Sequence, residues 1–225
     1  MNKLSLFAGI IFLCIVSATA EAFINYTDGL VHDIDWPIYD DVSVQNTTTL
    51  NLLENGYITD LTSAHNSVVN IFGGSIGEHL ESQYSSHVYM YGGAINGSFW
   101  AVDDSRVDMT GGVVEDIKID NNAEFVLSGG SIGNRLDVEL GTLIIQGSNF
   151  AVDGNPVGYG VLGSVFGGWL ADEPDRQLTG ILDSGELIDN PFRVASIGEI
   201  VLVPEPASFL LLSSGLAMLR KKRRR

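Results

Sequence analysis

"YGGAINGSF", residues 91–99, is one of several near-copies of a single phrase: a Gly-Gly pair, a small residue, then an aliphatic one. Aligned on the first glycine, the copies stand at Gly73, Gly92, Gly111, Gly129 and Gly147, spaced by 19, 19, 18 and 18 residues, with Asn55-Gly56 as an earlier, weaker copy. A fixed period of this length is the signature of a solenoid, in which each repeat forms one coil stacked on the last.

The residues around the glycines repeat as well. Four and two positions before them stand Val69 and Ile71, Val88 and Met90, Val107 and Met109, Phe125 and Leu127, and Leu143 and Ile145. This is the period-2 pattern of a strand with one buried face. Three positions after the first residue of each phrase come Ile58, Ile76, Ile95, Val114, Ile132 and Phe150, and further on Leu80, Phe99 and Leu136, with Ile117 and Ile119 in the shifted third copy. Each copy therefore predicts two short strands meeting at a glycine corner. The second half of a copy, such as "ESQYSSH", "VDDSR" or "DNNAE", is rich in Ser, Asp and Asn and predicts turns.

The expected fold is all-β: a short parallel β-helix (β-solenoid) of about six 18–19-residue coils over residues 50–152. Each coil should climb about 4.8 Å, giving a body on the order of 29 Å long. Gly73, Gly74, Gly92, Gly93, Gly111, Gly112, Gly129 and Gly130 are read as structural corners, where glycine permits positive φ and close approach of backbones. A calcium-binding roll of Gly-Gly-rich nonapeptides is the functional rival, since 18 is twice nine. That motif needs glycine at position four and aspartate at position six. Here position four is Ile76, Ile95, Val114 or Ile132, and position six is Glu78, Gly97, Asp116 or Asn134.

The flanks differ from the coils. Residues 1–20, "MNKLSLFAGIIFLCIVSATA", place Lys3 before an apolar run and end in Ala18-Thr19-Ala20, the pattern of a secretory signal peptide cleaved by signal peptidase between Ala20 and Glu21. Cys14, the only cysteine, lies within it, so no disulfide is expected in the mature chain. Residues 21–49 lack the phrase and are expected to cap the first coil as an irregular strand or loop. Residues 153–202 read as a β-rich C-terminal cap, in which "LTGILDSGELIDNPFRV" predicts a hairpin about Asp-Ser-Gly, with Trp169 and Phe192 as core candidates. No stretch of the mature chain carries the period of an amphipathic helix.

Residues 203–225, "VPEPASFLLLSSGLAMLRKKRRR", set a Pro-Glu-Pro element before a thirteen-residue segment, Ala207 to Leu219, and six basic residues. As a helix that segment would reach about 20 Å, short of a roughly 30 Å hydrocarbon core, and the basic tail would stay on the cytoplasmic side. Pro204, Glu205 and Pro206, the apolar run and the arginine-rich end together resemble a PEP-CTERM sorting signal. The resemblance implies a bacterium with a Gram-negative type envelope. It also implies recognition and removal of the tail by an exosortase-type membrane protease, with transient inner-membrane anchoring and then delivery to the outer surface or exopolysaccharide matrix. An ordinary tail anchor is the alternative, under which the Pro-Glu-Pro has no role.

Between Glu21 and Val203 there are five basic residues against 27 acidic ones, a net charge near −22. Such a body makes nucleic acid and anionic membrane surfaces poor partners, leaving the C-terminal segment as the membrane contact. His32, His65, His79 and His87 match neither a metal-site spacing nor the 18–19 period, and no catalytic, metal or cofactor site is assigned. Carboxylates on the outer face, Asp116 near Asn134 and Lys118, and Asp103 near Asn122, keep open a polysaccharide lyase or hydrolase of the β-helix type. Tyr84, Tyr89, Tyr91, Phe99 and Trp100 gather in two coils and keep open a sugar-stacking patch, with exopolysaccharide as the candidate partner. The leading expectation is a non-catalytic, exported cell-surface or matrix β-solenoid associated with exopolysaccharide or biofilm. A self-associating structural surface protein is the further alternative.

Overall fold

Val69, Ile71 and Ile76 are fully buried, and so are their equivalents in every following coil: Val88, Met90 and Ile95, then Val107, Met109 and Val114. The computed structural model that shows this describes residues 23–162, 175–195 and 197–205. All regular structure in it is β, with no helix among the described residues. The chain winds as a β-solenoid of about six turns.

Parallel ladders run along three faces. The first carries Ile24–Tyr26, Val42–Val44, Leu61–Ser63 and Leu80–Ser82, and continues through 99–101 and 117–119 to Leu136–Val138. The second carries Val31–Ile34, Thr49–Leu52, Val68–Ile71 and His87–Met90, then 106–109, 124–127 and 142–145. The third is shortest, from Pro37–Ile38 through Tyr57–Ile58 and Ser75–Ile76 to 94–95, 113–114 and 131–132. A coil thus has three strands rather than the two expected. The missed one is only three residues long, and its inward positions include Ser63 and Ser82, which break the apolar alternation.

Those serines are buried because each has a partner across the turn that joins the first face to the second. Ser63 Oγ lies 2.9 Å from Ser67 Oγ, and Ser82 Oγ 2.8 Å from Ser86 Oγ. One coil on, Ala101 takes the register position of Ser82, and the buried Ser105 Oγ has no hydrogen-bond partner. In the next coil Ala123 stands at that end of the turn, buried and apolar. These turns also carry left-handed backbone at Asn46, Thr47, His65, Asn66, Tyr84, Asp103 and Asn121. Asn and Asp tolerate that region best among side-chain-bearing residues, which accounts for the polar second half of each repeat.

The glycine pairs form the corner between second and third faces, and the two members do different work. The second glycine has positive φ: +68° at Gly74, +77° at Gly93, +91° at Gly112 and +95° at Gly130. The first is held by proximity to the coil beneath. A Cβ on Gly92 would lie 2.7 Å from the Phe72 carbonyl oxygen, and on Gly111 and Gly129 it would strike the Tyr91 and Thr110 carbonyls. Gly147 is not a corner. There the strand Thr142–Val152 runs straight on, and Gly147 is needed because Ile181 of an antiparallel neighbour crosses it.

The coil reaches beyond residues 50–152 on both sides. Residues 24–44, expected as an irregular cap, form a regular first coil on all three ladders. It has no glycine corner because no earlier coil presses on it. At the other end the expected hairpin is present, Arg176–Leu182 against Leu187–Val194, but its last residues rejoin the first face, with Phe192 over Leu136. Glu199–Pro204 then extends the second face over 142–147. Phe192 is buried as expected, while Trp169 lies outside the described residues.

Two stability measurements follow. Gly93 has φ +77° and would place a Cβ 2.6 Å from the Gly73 carbonyl oxygen, whereas Gly154 has φ +76° with nothing within 4 Å. In urea unfolding Gly154→Ala should cost about 1–2 kcal/mol, the left-handed strain alone, and Gly93→Ala about 3 kcal/mol or more. Equal losses would refute close approach as the cause. Likewise Ser86→Ala should destabilise by about 1 kcal/mol by orphaning Ser82, while Ser105→Ala, which removes an orphan, should stabilise by about as much.

Candidate interaction surface

With the interior filled by aliphatic columns, chemistry is confined to the outward positions, where residues of equal phase meet coil on coil about 4.8 Å apart. Asn51 donates to Asp33 at 2.7 Å and Asn70 to Asn51 at 2.8 Å, forming a short amide ladder on the second face. At the turn edge Asn121 donates to Asp103 at 3.0 Å and Asn122 to Asp104 at 3.3 Å. The pairing is thus Asp103 with Asn121, one residue from the register expected. These four residues, with Leu140 and Ile197, line a shallow cleft of about 390 Å³.

The candidate acid–base residues are not brought together. Asp116 sits where the third face turns into the first and accepts the backbone N–H of Arg135, whereas Asp103 is on the edge joining the first face to the second. Asp116 therefore lies over Arg135 rather than Asn134, because spacing along the first face is 19 residues at this point. No group of three or more His, Cys, Asp or Glu suited to a metal ion is present among the described residues.

The aromatic residues stack on one another. Phe72 and Tyr91 lie 5.2 Å apart with an 8° interplanar angle, and His65 and Tyr84 lie 4.4 Å apart at 9°. Trp100 is covered by His79 on one side, at 5.4 Å, and approached by the Lys118 ammonium at 5.5 Å. Rings stacked along the coil axis present edges outward and faces to each other, whereas sugar stacking needs an open face. Phe99, grouped with these rings in the sequence, points inward, fully buried and edge-on to Phe125.

All four histidines have partners: His32 with Asp28, His65 with Tyr84, His79 with Trp100, and His87 with Asp108 at 2.6 Å. The last belongs to a cluster that the sequence reading missed. Arg106 binds Asp108 through Nε at 3.0 Å and Nη2 at 3.1 Å, and Arg106 also pairs with Glu124. His87, Arg106 and Glu124 share one register position on the second face, so aligning outward positions by the repeat would have revealed it. Burial pushes the Asp108 carboxyl up, but its hydrogen bonds to Arg106 and His87 outweigh this and hold it below the usual range.

Every basic residue of the body is engaged in the same way. Lys118 pairs with Glu139 at 3.8 Å, Arg135 with Asp137 at 2.9 Å, Arg193 with Asp137 at 3.0 Å, and Arg176 with Asp153. Each cation is matched locally, and the excess carboxylates give the surface its sign. Of the Pro-Glu-Pro element, Pro204 ends the last strand opposite Gly147, and Glu205 accepts from Ser148 Oγ at 3.4 Å. Pro206, Ala20 and Glu21 lie outside the described residues, as does the apolar C-terminal segment. Among the described residues no helix is long and apolar enough to cross a membrane.

Because the folded Asp108 carboxyl titrates below its unfolded value, its contribution is present above about pH 3.9 and lost as pH falls through the lower folded value. The difference in melting temperature between wild type and Asp108→Asn should be constant at neutral pH and shrink on acidification within that window. A difference independent of pH would refute the ion-paired assignment.

No family model, curated protein sequence or solved structure matches the chain.

Proposed function

We propose that the protein is an exported, non-catalytic β-solenoid of the cell surface or extracellular matrix, associated with exopolysaccharide or biofilm and acting through its acidic lateral faces. The observation that carries this reading is the placement of the sorting-like text. The last strand, Glu199–Pro204, leads directly into Glu205, so Pro204-Glu205-Pro206 follows from the end of the solenoid without an intervening domain. A body held by that element is presented end-on, with its faces open to the matrix. On this reading signal peptidase removes residues 1–20 and an exosortase-type protease recognises Pro204, Glu205 and Pro206. The membrane is contacted only through the C-terminal segment before processing.

The faces suit a hydrated anionic environment: carboxylates and amides arranged in ladders, and cations already neutralised. A polysaccharide partner would be met by these polar edges and by divalent cations shared between its carboxylates and those of the protein.

The test is fractionation of cells producing wild type and a Pro204→Ala, Glu205→Ala, Pro206→Ala triple variant, with intact mass of each pool. The wild type should reach the surface or matrix without residues 1–20 and without the basic tail. The variant should stay in the membrane fraction with its C-terminus intact. Identical distribution and mass would overturn the sorting assignment, and release of oligosaccharides from purified exopolysaccharide by wild type would overturn the non-catalytic one.

A further inference from the structure

The two ends of the solenoid are built differently. At the C-terminal end antiparallel strands lie against the coil edges: Gly160–Val161 against 201–202, and Arg176–Leu182 against 147–152. At the N-terminal end, Ile24–Tyr26, Val31–Ile34 and Pro37–Ile38 each pair with the second coil on one side only. Among the described residues no strand pairs with their other edges. The same coil holds a concentration of exposed large apolar side chains, Phe23, Leu30, Val31, Trp36 and Tyr39, each more than half exposed. An edge of this kind templates pairing with another strand.

Three acidic residues of this coil, Asp28, Asp33 and Asp35, are engaged within the protein. Asp33 accepts from Asn51 at 2.7 Å and Asp35 accepts both N–H and Nδ2 of Asn55 at 3.0 Å, so both turn toward the second coil. Asp28 is bound to His32, which occupies the inward register position taken by Leu50 below and lies 4.3 Å from Tyr26. The chain ahead of the edge is short once the leader is removed. On the export reading, on which this inference rests, cleavage after Ala20 leaves only Glu21 and Ala22 ahead of Phe23. Leu162 and Glu205, which precede the segments outside the description, lie against Ile200 and Ser148 at the opposite end.

We infer that the open N-terminal coil is a docking surface for the same coil of a second copy, giving a head-to-head dimer. A two-fold axis perpendicular to the solenoid makes facing strands antiparallel and every group complementary to its own copy. With the axis at Val31, in the longest of the three strands, it pairs that strand with itself and sets Val31 directly against its own copy, with Leu30 alongside. Because a two-fold contact uses the N-terminal coil of both copies, the assembly closes at two copies and does not grow into a fibre.

The experiment uses full-length protein made with its leader in a secreting host, purified, and checked by intact mass. Sedimentation velocity over a wide concentration range should show a reversible dimer. Val31→Lys combined with Leu30→Lys should weaken it at least about a hundredfold, since the axis at Val31 brings like charges together. Val161→Lys at the other end should leave it unchanged. As a readout that survives poor folding of the double variant, Val31→Cys in the otherwise cysteine-free processed chain should oxidise to a covalent dimer, and Leu187→Cys should not. A processed wild type that is monomeric throughout, or a dimer split by Val161→Lys and not by the N-terminal changes, overturns the pairing. A mass that retains residues 1–20 overturns the export reading instead.

Discussion

The contact on which the rest of the structure depends is between a glycine of one coil and a backbone carbonyl of the coil beneath it. At Gly92, Gly93 and Gly112 the space that a side chain would need is occupied by the carbonyl oxygens of Phe72, Gly73 and Gly92. The same approach lets Ala94 N–H reach Gly74 O and Val113 N–H reach Gly93 O, both at 3.0 Å. Corner and ladder are therefore one interaction: the glycine pair turns the chain without interrupting the inter-coil hydrogen bonds. In Arg106–Ile119 the strand carries through the glycine pair and serves all three faces.

Once the corner fixes the rise between coils, everything else is copied at that rise. Inward side chains fall into columns that bury one another, and no single coil could do so alone. Outward side chains fall into columns as well, which is why amides bond amides, rings stack on rings and each arginine finds a carboxylate. Stacking converts a sequence with few cations into one in which every cation is paired. It also means that an outward residue has two neighbours before any ligand arrives. The Ser63–Ser67 and Ser82–Ser86 pairs show the same rule inside the core, and Ser105 shows what happens when one member of a copied pair is replaced without the other.

How much of this was legible follows from the same logic. The second and third strands of each coil were readable because Val-x-Ile, Val-x-Met and the aliphatic residue after the glycines keep strict period and polarity. The first-face strand was hidden because Ser63 and Ser82 are inward yet polar, satisfied by partners four residues away that no hydropathy pattern marks. The first coil was hidden because glycine marks only a corner pressed from below, and residues 24–44 have nothing below them. The last strands were hidden because the chain leaves the coil at Gly147 and returns at Phe192, so the period is broken in sequence while the ladder is continuous in space. Of the surface, individual residues were readable but their partners were not: a one-residue difference in coil length moved Asp116 from Asn134 to Arg135 and Asp103 from Asn122 to Asn121.

A body charged near −22 repels copies of itself along its length, where most of its carboxylates lie. Lateral association of such rods is opposed over their whole faces, and any direct contact between copies is directed to the ends. There the balance is set locally. In the first coil Asp33 and Asp35 bond to the second coil, and Leu30, Val31 and Trp36 stand exposed at the rim. At the other end antiparallel strands lie against part of the coil edges, and the last strand runs into Pro204-Glu205. One fold thus separates two kinds of surface: faces along which carboxylates are distributed coil after coil, and a first coil whose outer edge, among the described residues, has no strand against it.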